Sequence, residues 1–259
     1  MSPSGLPDIP KINLSFPLVP LAVKAFEYTK EHTSEILYNH TARTAYWALI
    51  LAKKLPQFAS IDVEVVVVSS ILHDVGMATD KGMLKKELRF EVDGANIART
   101  WLTGQLAEEG GGWDAHRVQL LWDAIALHTT PSIALHKQPE VALMLMATMA
   151  DLSGPNFQGG GLITLDEYKE VVRVFPVVEL GVANTKATMC GLCRDRTEAS
   201  FDTLAGEFGR RFGVDGQGGG KDEYEKEREQ AIGGLVDQII KGVGYVEQLG
   251  KEIAQEASQ

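Results

Sequence analysis

The run from Ile61 to His73 constrains the fold of this chain more than any other feature. Val63, Val65, Val66, Val67, Val68, Ile71 and Leu72 crowd it with apolar side chains, and so β-branched a string fits either a buried strand or a buried helix. A strand needs partners, because its backbone amides and carbonyls are satisfied only across a ladder. No turn-separated partner strands occur elsewhere in the sequence. The run therefore predicts a helix buried on all sides, and with it an all-α fold.

The rest of the chain reads the same way. Residues 1–20, punctuated by prolines 3, 7, 10, 17 and 20, predict an extended arm. A short helix is expected over residues 21–30. Thr33 or Ser34 can cap a longer one to about Leu55, where Ile36, Leu37, Ala45, Ala48, Leu49 and Ala52 recur at helical spacing and Pro56 stops it. Further helices are expected near residues 91–107, 114–127, 139–152 and 165–174, with glycine clusters at 110–112 and 159–161 between them. The stretch Asp215–Gly220 predicts a flexible glycine-rich linker. Beyond it Ile232, Leu235, Val236, Ile239, Ile240, Val243 and Val246 form one stripe of an amphipathic helix, expected to pack on the body or on a partner. The predicted organisation is an arm (1–20), a catalytic body (21–214), a linker (215–220) and a C-terminal helix (221–259).

Charge narrows the partners. With 25 Lys and Arg against 35 Asp and Glu the formal charge is −10, which argues against a nucleic-acid partner, because binding to a phosphate backbone relies on surplus basic residues. No apolar run approaches the ~20 residues of a membrane span, and the start lacks the pattern of a secretory signal or transit peptide. These readings predict a cytoplasmic protein with a small-molecule substrate. The two cysteines, Cys190 and Cys193, have the spacing of a redox dithiol or half a zinc site. No second Cys or His pair lies nearby to complete a structural site, so two ordinary thiols are expected.

Chemistry concentrates on histidine and aspartate. The dipeptide His73-Asp74 ends the apolar helix directly before Val75-Gly76. Neighbours on a helix diverge by about 100°, so both can reach one ion only near the helix end. A divalent ion needs further ligands. The best candidates are His40 on the preceding helix and Asp151, which closes the apolar string Met144–Ala150. A buried unpaired carboxylate is costly, and a cation would relieve it. A salt bridge to Arg43 or a helix cap would relieve it too.

The order His40, His73-Asp74, Asp151, spread over residues 34–155, resembles the HD superfamily of metal-dependent enzymes. Within it the strings Tyr38–Trp47, Leu72–Gly76, Phe90–Gly94, Ala124–His128 and Ala147–Asp151 are most similar to the fungal cyanamide hydratase group. The resemblance implies an HD-type helical bundle, a metal held by His40, His73, Asp74 and Asp151, and a homodimer. It also points to zinc, although such a donor set would tolerate iron(II), manganese or cobalt. Two-metal relatives need extra histidines between the His-Asp pair and the last Asp. Here only His116, His128 and His136 are available, and His116 and His136 are expected at the surface, so a single metal is favoured.

Many HD phosphohydrolases carry a Lys soon after the His-Asp turn, where this chain has Met77; a neutral substrate suits that loss. Arg43, Lys81, Lys85, Lys86 or Arg89 remain alternative sources of charge. The expected reaction is hydration of a nitrile-like carbon, cyanamide going to urea. His128 would deliver the proton to nitrogen, its ordinary pKa of ~6.5 suiting it as acid or base, unless it is a core histidine. Thr148, three residues before Asp151, lies on the same helix face and offers a hydroxyl to substrate, unless that hydroxyl bonds its own backbone. A phosphohydrolase and a metal-free scaffold are the alternatives.

Overall fold

A computed structural model describes residues 6–177 and 181–256. The first five residues of the expected arm and the last three of the expected C-terminal helix lie outside them. Twelve α-helices and no strand longer than an isolated bridge occur among the described residues. In chain order they are α1 (Pro20–His32), α2 (Glu35–Lys54), α3 (Val63–Leu72), α4 (Phe90–Glu109), α5 (Ala115–Ala126), α6 (Pro131–Ala134), α7 (Pro139–Ser153), α8 (Leu165–Val174), α9 (Val182–Asp195), α10 (Thr197–Ser200), α11 (Leu204–Phe212) and α12 (Lys221–Glu256).

The valine run is helical. Its α3 starts where the Asp62 carboxylate accepts from Val65 N, an N-cap that satisfies one of the first orphan amides. Every residue from Val65 to Leu72 is buried, so a helix apolar all round sits where such a helix must. Around it pack α1, α2, α5 and α7. Local signals set the other starts: Asp114 caps α5, Thr164 and Glu167 form a capping box on α8, and Pro20, Pro131 and Pro139 open α1, α6 and α7. Among the described residues, 6–19 form no α-helix and make one short turn at Pro10–Ile12. Leu6, Ile9, Leu14, Phe16 and Val19 bury against the core.

The chain forms two compact units, one through Gly181 and one from Val182. The second has an apolar cluster of its own, Cys193, Phe201, Ala205 and Tyr224, which is why the division falls before the glycines. The glycines of 215–220 lie in a hydrogen-bonded segment. Asp215 Oδ1 accepts from the backbone N–H of Gln217 (2.8 Å) and Gly219 (2.9 Å), Gly218 N donates to Phe212 O (2.7 Å), and the segment closes as a turn between α11 and α12. Cys190 and Cys193 are buried free thiols, and burial pushes both pKa values up. The apolar stripe of α12 is present as a stripe, and its residues Leu235, Val236, Ile239, Ile240, Val243 and Val246 are exposed in the single chain. No described helix is long and apolar enough to cross a membrane.

Candidate metal centre

Four elements of the first unit converge on one buried point. The end of α3 brings His73 and Asp74, the second turn of α2 brings His40, the segment after α5 brings His128, and α7 brings Asp151. All five side chains are buried. His73 and Asp74 share the point because the chain leaves the α-helix there: Asp74 has φ −101° and ψ 12°, and a 3-10 turn follows at Val75–Met77. That turn is roofed by α4. A Cβ on Gly76 would fall 1.9 Å from Phe90 O, and one on Gly94 would fall 3.3 Å from His73 O, so two glycines let the backbones meet.

His40, His73 and Asp74 form a cluster of potential metal ligands. His40 Nε2 lies 3.2 Å from His73 Nε2 and 3.6 Å from Asp74 Oδ2, and His73 Nε2 lies 3.4 Å from the same oxygen. Ligands about 2.0–2.1 Å from a tetrahedral ion stand roughly 3.3 Å apart, so the triangle has the size of a coordination face.

The protons agree with that reading. His73 Nδ1 faces Ser70 O at 2.8 Å and His40 Nδ1 faces Asp151 Oδ2 at 2.7 Å. A carbonyl and a carboxylate only accept, so both Nδ1 atoms carry hydrogen and both Nε2 lone pairs turn inward. With Asp74 Oδ2 they make three acceptors at one point, and a proton or a metal ion must stand among them. Carbonyl and carboxylate partners on the outer nitrogens are also what orient metal-binding histidines.

Asp151 is placed differently from the other three expected ligands. Its Oδ1 accepts from Arg43 Nε (2.7 Å) and Trp47 Nε1 (2.7 Å), and its Oδ2 from Arg43 NH2 (2.8 Å) and His40 Nδ1 (2.7 Å). Arg43 is itself buried and donates onward to the carbonyls of Phe175 (3.3 Å) and Pro176 (2.9 Å). The salt bridge to Arg43 thus removes the cost of burying this carboxylate, and Asp151 stands on the outer nitrogen of His40 rather than in the triangle.

His128 reaches the cluster. Its Nδ1 donates to Ile125 O (2.6 Å), its Nε2 lies 3.6 Å from Asp74 Oδ1, and its ring meets those of His73 and Phe90 edge-on at 4.8 and 5.6 Å. Thr148 is buried, but its hydroxyl donates to Met144 O (3.0 Å) within α7, the backbone-bonded alternative. His116 and His136 are exposed, as expected.

Sequence reasoning passed over two features. His40, Arg43 and Trp47 recur at i, i+3 and i+7, one face of α2, and this spacing marks all three as partners of one group. The second is Glu91, fully buried and accepting from Thr129 Oγ1. Nothing in its local sequence distinguishes it from a solvated first-turn acid.

The electrostatics follow burial first. Burial, reinforced by the neighbouring imidazoles, holds His73 at about 3 against the favourable charge of Asp74. Burial would raise Asp74 and Asp151, yet the imidazoles beside Asp74, and His40 with Arg43 beside Asp151, hold both below the usual carboxylate range. Burial would lower His128, but Asp74 and then Glu91 raise it.

A linked pH dependence follows for the metal-free protein. Between about pH 3 and the unfolded value near 6.5 the unfolded state binds a proton at position 73 that the folded state refuses. Stability therefore rises with pH across that window. The two aspartates act in the same direction lower down, their contribution complete above ~3.9 and lost as pH falls through the folded values. His128, its pKa raised, works the other way, stabilising the fold below ~6.5 and losing that contribution as pH rises through its folded value, so urea denaturation of metal-free protein should show a larger loss of stability from pH 7 to pH 4 in wild type than in His73→Gln. An identical pH profile in wild type and His73→Gln would contradict the buried neutral imidazole at position 73.

No curated protein matches the chain. The family model described as HD domain matches residues 37–152, which hold every residue of the triangle and its orienting shell except the carbonyls of Phe175 and Pro176. That stretch of the chain has the all-α fold of the HD domain, a family whose members bind divalent metals and are generally metal-dependent hydrolases.

Proposed function

We propose that this centre adds water to the carbon of a small, neutral, nitrile-like molecule, with cyanamide to urea as the case to test and zinc as the ion. The observation that carries the choice of substrate is the fate of the cations. Arg43 spends its guanidinium on Asp151 and two carbonyls. Lys81, Lys85 and Lys86 are exposed, and Arg89 Nε lies 3.8 Å from Glu91 Oε2. The carboxylates of Asp74 and Glu91 act on His128, and a phosphate ester would meet them at a cost.

His40, His73 and Asp74 would hold the ion. A divalent ion supplies Lewis acidity, lowering the pKa of water towards ~7 and polarising an electrophile. The chain's own part is positional. Ser70 O and Asp151 fix the tautomers of His73 and His40. His128, steered by Ile125 O, keeps Nε2 for proton exchange. It takes the proton that water releases as its oxygen bonds to carbon and returns it to the substrate nitrogen. Thr148, its own proton donated to Met144 O, keeps lone pairs that can accept from substrate N–H. No redox partner is required.

Metal-loaded protein should release urea from cyanamide, and His73→Ala should abolish both metal binding and turnover. If neither cyanamide nor any related nitrile is consumed, the hydratase reading is lost. The HD-domain match keeps a second reading alive, a phosphohydrolase, and release of phosphate from a nucleotide panel, lost in His73→Ala, would establish it. A protein that gains no thermal stability from zinc, manganese or iron would instead be a scaffold, because binding to the native state alone must raise stability.

A further inference from the structure

Two carboxylates act on His128, Asp74 and Glu91. Glu91 is the second residue of α4 and wholly buried. Its Oε1 accepts from Thr129 Oγ1, while its Oε2 receives no hydrogen bond. The ion pair with Arg89 Nε at 3.8 Å supplies charge but is too long for one. Buried carboxylate oxygens are rarely left so, because the water they gave up must be replaced by a donor.

The position of this oxygen suggests what the donor is. Thr129, which holds Oε1, follows His128 directly in the chain. Phe90, which precedes Glu91, sets its ring against His128 at 5.6 Å. The Gly76–Gly94 contact seats the start of α4 on the His73-Asp74 turn. Glu91 therefore belongs to the wall beside the metal centre, on the side where His128 meets Asp74. An anion would be repelled by both carboxylates. A further metal ion is disfavoured by the adjacent guanidinium of Arg89. A small group bearing N–H donors answers both constraints.

We propose that Glu91 is a specificity-determining residue, its Oε2 accepting a hydrogen bond from an N–H group of a small amine-, amide- or amidine-bearing substrate at the metal centre. The inference rests on the hydration reading for its kinetic readout but not for its binding readout. A site built around a buried acceptor discriminates strongly against an analogue that cannot donate, because the acceptor is then left unpaired.

The test compares cyanamide with N,N-dimethylcyanamide on the metal-loaded full chain. Wild-type protein should favour cyanamide by roughly tenfold to a hundredfold in kcat/KM, and Glu91→Gln should bring that ratio close to one. Steric exclusion of the methyl groups is the same in both proteins, so the change of ratio between them is the quantity that counts. An unchanged ratio in Glu91→Gln overturns the proposal. Should no nitrile be hydrated, calorimetric binding of urea against tetramethylurea gives the same comparison. A preference for urea that shrinks in Glu91→Gln upholds the proposal while the hydratase reading falls, and a preference that does not shrink overturns it. If the Gln variant fails to fold, Glu91→Asp, which withdraws the oxygens by one methylene, carries the same comparison.

Discussion

Gly76→Ala should destabilise the first unit by about 4 kcal/mol or more, a size reserved for clashes that side-chain motion cannot relieve. The added methyl would lie 1.9 Å from Phe90 O and 2.9 Å from Gly94 N, both backbone atoms. Either α4 moves off the His73-Asp74 turn or the turn moves off α3, and each choice separates His73 and Asp74 from their neighbours. Gly94→Ala is the graded control. Its methyl would fall 3.0 Å from Gly76 N and 3.3 Å from His73 O, distances that a shift of a few tenths of an ångström can relieve. Urea denaturation of the two variants should therefore rank Gly76→Ala well below Gly94→Ala, and Gly94→Ala below wild type. A Gly76→Ala protein with wild-type stability would mean that α4 does not roof the metal turn as described.

The helices were legible because their determinants are local. Asp62 and Asp114 cap α3 and α5 where the sequence places polar residues before apolar periods, and Pro56 ends α2 within two residues of Lys54. The valine run could be assigned to a helix because an unpaired strand has no way to satisfy its backbone. Contacts between residues distant in the chain leave no such local mark. The glycines of 215–220 look flexible by composition, but one carboxylate oxygen of Asp215 gathers two of the backbone N–H groups and fixes the turn. The division at Gly181 depends on Cys193, Phe201, Ala205 and Tyr224 finding one another, and no spacing within 182–214 announces that. The stripe on α12 was visible as a period. A period specifies a face, not what lies against it.

The same distinction separates the parts of the metal centre. His73-Asp74 could be located because both residues sit at the end of one element, where a change of backbone conformation lets neighbours share a point. His40 could be added because its helix precedes α3 and buries it. For Asp151, burial demanded a cation, and composition offered two: a metal ion or Arg43. The geometry of α2 supplies the second. Arg43 lies one turn beyond His40 and Trp47 one turn beyond Arg43, so three donors on one helix face meet a single carboxylate on α7. A carboxylate accepting that many hydrogen bonds is strongly held in its charged form, in agreement with its lowered pKa.

Asp151→Asn should then behave as the loss of an orienting group and not of a ligand. The amide can still accept from Trp47 or Arg43 through its oxygen, but its NH2 meets His40 Nδ1–H, which also donates, and Arg43 is left buried without its counter-charge. Breaking a buried pair in this way costs about 3–5 kcal/mol. Because His40 keeps Nε2 inward only while Nδ1 has an acceptor, metal affinity should fall by roughly tenfold to a hundredfold, the usual effect of losing a partner behind a ligand. At saturating metal the stoichiometry should remain one ion per chain, and turnover should return with it. Asp74→Asn, which removes a corner of the triangle, should lose the ion over the same titration and stay inactive. Calorimetric metal titration of the two variants, each checked for folding by circular dichroism, separates the roles. If Asp151→Asn loses the ion as completely as Asp74→Asn, Asp151 turns towards the metal when one is bound and coordinates it. If it binds the ion as tightly as wild type does, the hydrogen bond to His40 contributes nothing to the centre.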